Sequence, residues 1–166
     1  MTGNGFTGAT AVDFGTTPAA SYTVNNDGSI TATAPPGTGT VDVTVTTPAG
    51  TSATGPADQY AYTPDATRLD AEAALFSLAP GDLDVTLDLK ATLSDVVTHQ
   101  PTAGQSITFT VDRHTVCTAT TDTHGAAECH GLAALVDVLL DGHYTATFTG
   151  TPALAGTTAT APLSQL

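Results

Sequence analysis

The chain has 166 residues, dominated by Thr and Ala, with 16 Gly, 10 Pro, no Trp, and only three cations against 16 carboxylates, a formal net charge of -13. That length holds one medium domain or two small ones, and the composition suits strands broken by frequent turns. The charge excludes nucleic acid and anionic lipid, which need a basic footprint, and no apolar run reaches the ~20 residues that span a bilayer, so neither nucleic-acid binding nor membrane insertion is expected. The acidity reads first as solubility; calcium binding or a saline habitat comes second.

In chain order, Ala11-Val12-Asp13-Phe14 alternates weakly before Gly15, and Ser21-Tyr22-Thr23-Val24 follows. The cluster Asn25-Asn26-Asp27-Gly28 and the run Ser29 to Ala34 then predict a hairpin, because Asn, Asp and Gly tolerate positive φ. Val41-Asp42-Val43-Thr44-Val45-Thr46 is a half-buried strand pattern, valines to one side and polar residues to the other. Pro48-Ala49-Gly50 turns, and Gln59-Tyr60-Ala61-Tyr62 closes the unit. Thr63-Pro64-Asp65 is a short, stiff joint, since proline holds its predecessor extended. The domains expected are therefore 1–63 and 64–166, as an elongated pair.

The second half restarts with alternation over Arg68–Ala73 and a turn at Pro80-Gly81. Val85 to Leu93 is the longest clean alternation, with Val85, Leu87, Leu89 and Leu93 on its core face. After a turn at Pro101–Gly104, Ile107–Val111 and His114–Thr120 form a hairpin. Thr123-His124-Gly125 turns, and Ala126–Cys129, Tyr144–Phe148 and Thr157–Pro162 supply three more strands. Leu132–Leu140 fits either a helical turn or an apolar strand and loop; its strand flanks favour the latter. Turn signals roughly every 8–12 residues predict an all-β chain of two tandem immunoglobulin-like β-sandwich domains.

Cys117 and Cys129 are the two cysteines. Their spacing fits neither a metal site nor Cys-x-x-Cys, and a disulfide across neighbouring strands suits it best, placing the chain in an oxidising compartment; two free buried thiols are the alternative. His99, His114, His124, His130 and His143 form no metal-binding spacing, although His114, His124 and His130 flank the cysteines and are expected near one sandwich end. They read as surface histidines, against an adventitious metal site. Asp13, Asp27, Asp58 and Asp65 lack an Asp-x-Asp-x-Asp run and read as turn aspartates rather than calcium ligands. There is no Gly-x-Ser-x-Gly elbow and no phosphate loop, and Gly3-Asn4-Gly5 is a turn. No catalytic residue, cofactor or metal is assigned, and the chain is expected not to be an enzyme.

Residues 2–62 resemble the IPT/TIG family of immunoglobulin-like domains through Thr2-Gly3-Asn4-Gly5-Phe6, Ala11–Gly15, Thr17-Pro18-Ala19, Ser29–Pro35, Gly39–Val45 and Tyr60-Ala61-Tyr62. Members of that family carry a first strand and most of a second ahead of the Gly-Asn-Gly-Phe motif, whereas here Met1 sits almost on it. That implies a cut sequence or a sandwich short at one edge. Either the 1–63 sheet edge takes a strand from elsewhere, a second copy included, or it is left to solvent. Residues 66–166 resemble bacterial Ig-like repeats of secreted proteins through Ser106–Val111, Val116–Asp122, Gly125–Cys129, His143–Phe148 and Leu154–Ala159, in which the two cysteines bridge adjacent strands. Both resemblances imply a structural or adhesive stalk in a secreted or cell-surface bacterial protein. The rival is a module that binds a carbohydrate or a protein. No signal peptide opens the sequence, so a mature fragment or an excised piece is expected, with a cytoplasmic chain opposed by the cysteines.

Overall fold

A computed structural model describes residues 1–76 and 84–165, and the expected Pro80-Gly81 turn lies outside them. The chain divides into two compact units, Met1–Pro64 and Asp65–Leu166. It is all-β apart from one short helix and one 3-10 turn among the described residues.

The first unit holds β1 (Ala11–Phe14), β2 (Thr17–Pro18), β3 (Ser21–Asn26), β4 (Ser29–Thr33), β5 (Thr40–Thr47), β6 (Gly50–Thr51) and β7 (Gln59–Ala61). One sheet runs β2-β1-β5-β6 with β7 also on β5, and the other is the β3-β4 hairpin. Val12 and Phe14 of β1, Ile30 of β4 and Val45 of β5 are buried between them. Val41 and Val43 are only half-buried, so the expected valine face of β5 is incompletely covered. The covering sheet is two strands wide, which accounts for the shortfall. Ahead of β1, Met1 pairs with Ile30 through both backbone groups, its N–H donating at 2.8 Å and its C=O accepting at 3.1 Å.

The Asp27 carboxylate fastens the N-terminal loop to the β3-β4 turn. It accepts from the Gly5 N–H at 3.2 Å, the Thr7 N–H at 3.3 Å and the Thr7 hydroxyl at 2.8 Å. The hydroxyl bond above all, then the two amide bonds, holds its pKa below the ordinary carboxylate value. Asp27 is thus a turn aspartate whose carboxylate takes donors from two loop residues.

The second unit holds β8 (Thr67–Ala71), β9 (Ala74–Phe76), β10 (Asp84–Asp95), β11 (Ser106–Val111), β12 (His114–Thr120), β13 (Ala126–Ala134), α1 (Leu135–Asp141), β14 (His143–Phe148) and β15 (Thr157–Gln165). One sheet runs β13-β10-β8 and the other β12-β11-β14-β15-β9. Val85, Leu87, Leu89 and Leu93 of β10 are all buried, facing Ile107, Phe109 and Val111 of β11 and Tyr144 and Phe148 of β14. Tyr144 also ties the sheets by polarity, its hydroxyl lying 2.6 Å from the carbonyls of both Glu72 and Lys90. Gly125, at φ +75°, closes the turn before β13; a Cβ there would stand 2.3 Å from the Leu93 carbonyl oxygen.

Leu132–Leu140 is strand as far as Ala134 and departs from the loop or strand expected only from Leu135 on. β13 continues to Ala134, and α1 then turns until Gly142 stops it in the left-handed region, its N–H bonding the Val138 carbonyl. Val138 packs into the core while Val136, Leu139 and Leu140 stay exposed, which is helical periodicity. Strand-like flanks mask so short a helix, and its local signal is the Asp141-Gly142 stop.

Candidate functional site

The incomplete cover over β5 leaves a groove of about 640 Å³ between the two sheets of the first unit. Phe6, Phe14, Ile30, Val43, Val45 and Tyr60 supply apolar walls, with Thr31, Ser52, Asp58 and Gln59 among its polar lining. That volume lies within the roughly 300–1,000 Å³ of small-ligand sites, and apolar walls with a few polar groups are their usual chemistry. Phe14 and Tyr60, which line the groove, continue with Tyr62 in an edge-to-face series with ring centroids 5.2 and 5.0 Å apart. Tyr60 remains 41% exposed, so part of its ring is free to stack. Gly37 lets the series close, since a Cβ there would lie 2.4 Å from the Tyr62 ring. Phe14, Phe76, Phe109, Tyr144 and Phe148 are buried, whereas Tyr60 lines the groove and stays exposed.

In the second unit Cys117 and Cys129 form a disulfide, with Cα atoms 6.3 Å apart. The strands it joins are consecutive in the chain, yet they are not paired within one sheet: β12 edges one sheet and β13 edges the other. The bridge therefore closes the sandwich across its open side. Gly131 makes room for it, because a Cβ would meet Val116 Cγ1 at 2.4 Å and Cys117 Sγ at 3.2 Å.

The histidines expected together do not converge. His124 sits 3.6 Å from Asp122, His114 3.1 Å from Asp137, and His130 hydrogen-bonds Asp88 on the opposite strand. Each is placed by its own strand or turn, so flanking the cysteines in sequence does not bring their rings together. His130 is held above its ordinary pKa, first by the Asp88 hydrogen bond and then by that charge. Alongside, Lys90 lies 3.0 Å from Glu128 and 3.8 Å from Glu72, and its pKa is raised, chiefly by the Glu128 hydrogen bond. The Asp88–His130 and Lys90–Glu128 pairs sit directly opposite each other on β10 and β13 and favour that register, while Glu72 reaches Lys90 from outside β13; all are exposed side chains on the sheet surface. Among the calcium candidates, Asp27 is occupied as described. Asp13, Asp58 and Asp65 belong to no converging ligand group among the described residues. One group does converge, Asp112, His114 and Asp137, and no spacing in the chain marks its two carboxylates in advance.

Comparison with known proteins bears on the first unit. Residues 1–62 match the family model of the IPT/TIG domain. The match spans the first unit from its Met1–Ile30 pairing through β7, and so includes the whole groove. IPT/TIG domains are immunoglobulin-like, generally non-catalytic, and often found in adhesive or structural modules. No curated protein and no solved structure matches the chain. The second unit is thus described by its own strands and disulfide. No helix among the described residues is long and apolar enough to cross a membrane.

Proposed function

We propose that the chain is a non-catalytic structural or adhesive module, a stalk or spacer of a secreted or cell-surface bacterial protein. The observation that carries the reading is the Cys117–Cys129 bridge between the edges of two sheets. Such a covalent tie persists where the surroundings are oxidising, and it stabilises a small sandwich whose core is limited. The carboxylates support the same reading. Asp27, Asp95 and Asp122 all accept hydrogen bonds from turn residues, so part of the acidity serves loop geometry. The resemblance of residues 66–166 to bacterial Ig-like repeats points the same way. The test is a swap: an unrelated disulfide-bonded sandwich pair of similar length replaces the chain in its parent protein. Undiminished display and adhesion support a spacer, and lost adhesion at equal display refutes it.

A second reading rests on the groove. Exposed Tyr60 beside apolar walls suits a carbohydrate ring or an extended protein segment. A second copy adding a strand at the β4 edge is one form of the latter, and main-chain pairing there would extend what Met1 begins at Ile30. A glycan array and light scattering discriminate. Glycan binding abolished by Tyr60→Ala favours the module, whereas a strict monomer without glycan binding favours the spacer.

A further inference from the structure

The geometry points to a divalent-cation site in the second unit, formed by Asp112, His114 and Asp137. Asp112 lies in the two-residue turn between β11 and β12, where Asp112 and Arg113 adopt positive φ of 43° and 67°. His114 opens β12, and Asp137 stands in the first turn of α1. Two elements distant in sequence thus aim one imidazole nitrogen and two carboxylate oxygens at a common point, all three ligand atoms lying within 4.8 Å of one another. The His114 Nδ1 to Asp137 Oδ2 distance is 3.1 Å. A tetrahedral ion with ligands at about 2.0–2.2 Å places its donors about 3.2–3.6 Å apart, so the His114–Asp137 pair stands close to coordination spacing and the third donor, within 4.8 Å, would have to draw in as the ion binds.

The position of the turn relative to the helix is fixed independently of any ion. The Asp112 N–H donates to Asp141 Oδ2 at 3.1 Å, which seats the hairpin tip on the last turn of α1. Two of the three candidate ligands are exposed and Asp137 is half-buried, so an ion could reach them without unfolding. Arg113 adds the one positive charge within the turn, and it is exposed, free to swing into water. Asp112, Asp137 and Asp141 outweigh it.

The donor set names the class. An imidazole with two carboxylates suits borderline ions, Zn²⁺ foremost with Co²⁺ and Ni²⁺, whereas Ca²⁺ and Mg²⁺ prefer an all-oxygen shell. Bound there, the ion would clamp α1 to the β11-β12 hairpin and leave its remaining coordination to water. The site is separate from the disulfide and from the groove, and stands whether the module is a spacer or a binder.

The test titrates Zn²⁺ into the intact, oxidised chain by calorimetry, with the His ring resonances followed by NMR. One equivalent should saturate, with the His114 ring shifting first. His114→Ala should weaken binding about tenfold or more, as even loss of an outer-shell partner costs 10–100-fold. His124→Ala and His130→Ala should leave it unchanged. The NMR arm needs no substitution, so it decides the matter even where a variant folds poorly. Absent saturation, a first shift at His124 or His130, undiminished affinity in His114→Ala, or equal competition by Ca²⁺ overturns the site.

Discussion

Breaking the Cys117–Cys129 bridge is the most informative perturbation of the fold. The bond closes a loop of sequence separation 12. Holding so short a loop in the unfolded chain is worth about 3 kcal/mol on the chain-entropy account. For a unit of roughly 100 residues, 1 kcal/mol moves the melting midpoint by about 4–8 °C, so reduction should lower it by about 12–24 °C. The effect should stay in the second unit, since both cysteines lie there. Thermal melting followed by NMR separates the two, with Phe109 and Tyr144 reporting on the second unit and Val12 and Val45 on the first. The Cys117→Ser/Cys129→Ser variant should reproduce the effect of reductant. A second-unit fall below about 3 °C, less than the shift expected from 1 kcal/mol, would refute the reasoning. An equal fall in the first unit would do the same.

Other outcomes follow from single residues. Tyr144→Phe removes the hydroxyl between the Glu72 and Lys90 carbonyls and should cost about 0.5–1.5 kcal/mol in denaturant melts, the net worth of one hydrogen bond, since the Lys90 carbonyl keeps the Glu72 N–H as a donor. Leu87→Ala, at a fully buried position, should cost about 2–5 kcal/mol by the same measurement. Asp27, Asp95 and Asp122 have lowered folded pKa values, so their contribution is present above the unfolded value of 3.8 and lost as pH falls through the folded ones. His130 is raised, so its contribution is complete below 6.5 and lost as pH rises through its folded value. Stability measured against pH should accordingly peak between those limits, and Asp88→Asn should bring the His130 titration in NMR down toward 6.5.

Local pattern carries the strands that lie over a filled core. β10 alternates because Leu87, Leu89 and Leu93 face a second sheet along their whole length, so its burial is readable from the residues alone. β9 is not readable that way: Ala74–Phe76 is three residues long, and its partner β15 lies parallel at the far end of the chain. α1 is hidden by its strand flanks, though Asp141-Gly142 marks its end. The groove is hidden because alternation in β5 says which side chains share a face, and coverage depends on how many strands lie opposite. The cysteine pairing is accessible from spacing. That it spans two sheets is not, since spacing is the same for strands paired in one sheet and for strands facing across a core. Asp112 and Asp137 look like ordinary surface carboxylates until the hairpin tip is laid against the helix.

The central claim, a disulfide-locked module outside the cell, is tested most directly by thiol labelling on intact cells of the native producer and in their medium. A membrane-impermeant maleimide should leave Cys117 and Cys129 unmodified until an impermeant reductant is added, and then label them without lysis. Labelling without any reductant, or only after the cells are broken open, would contradict the claim.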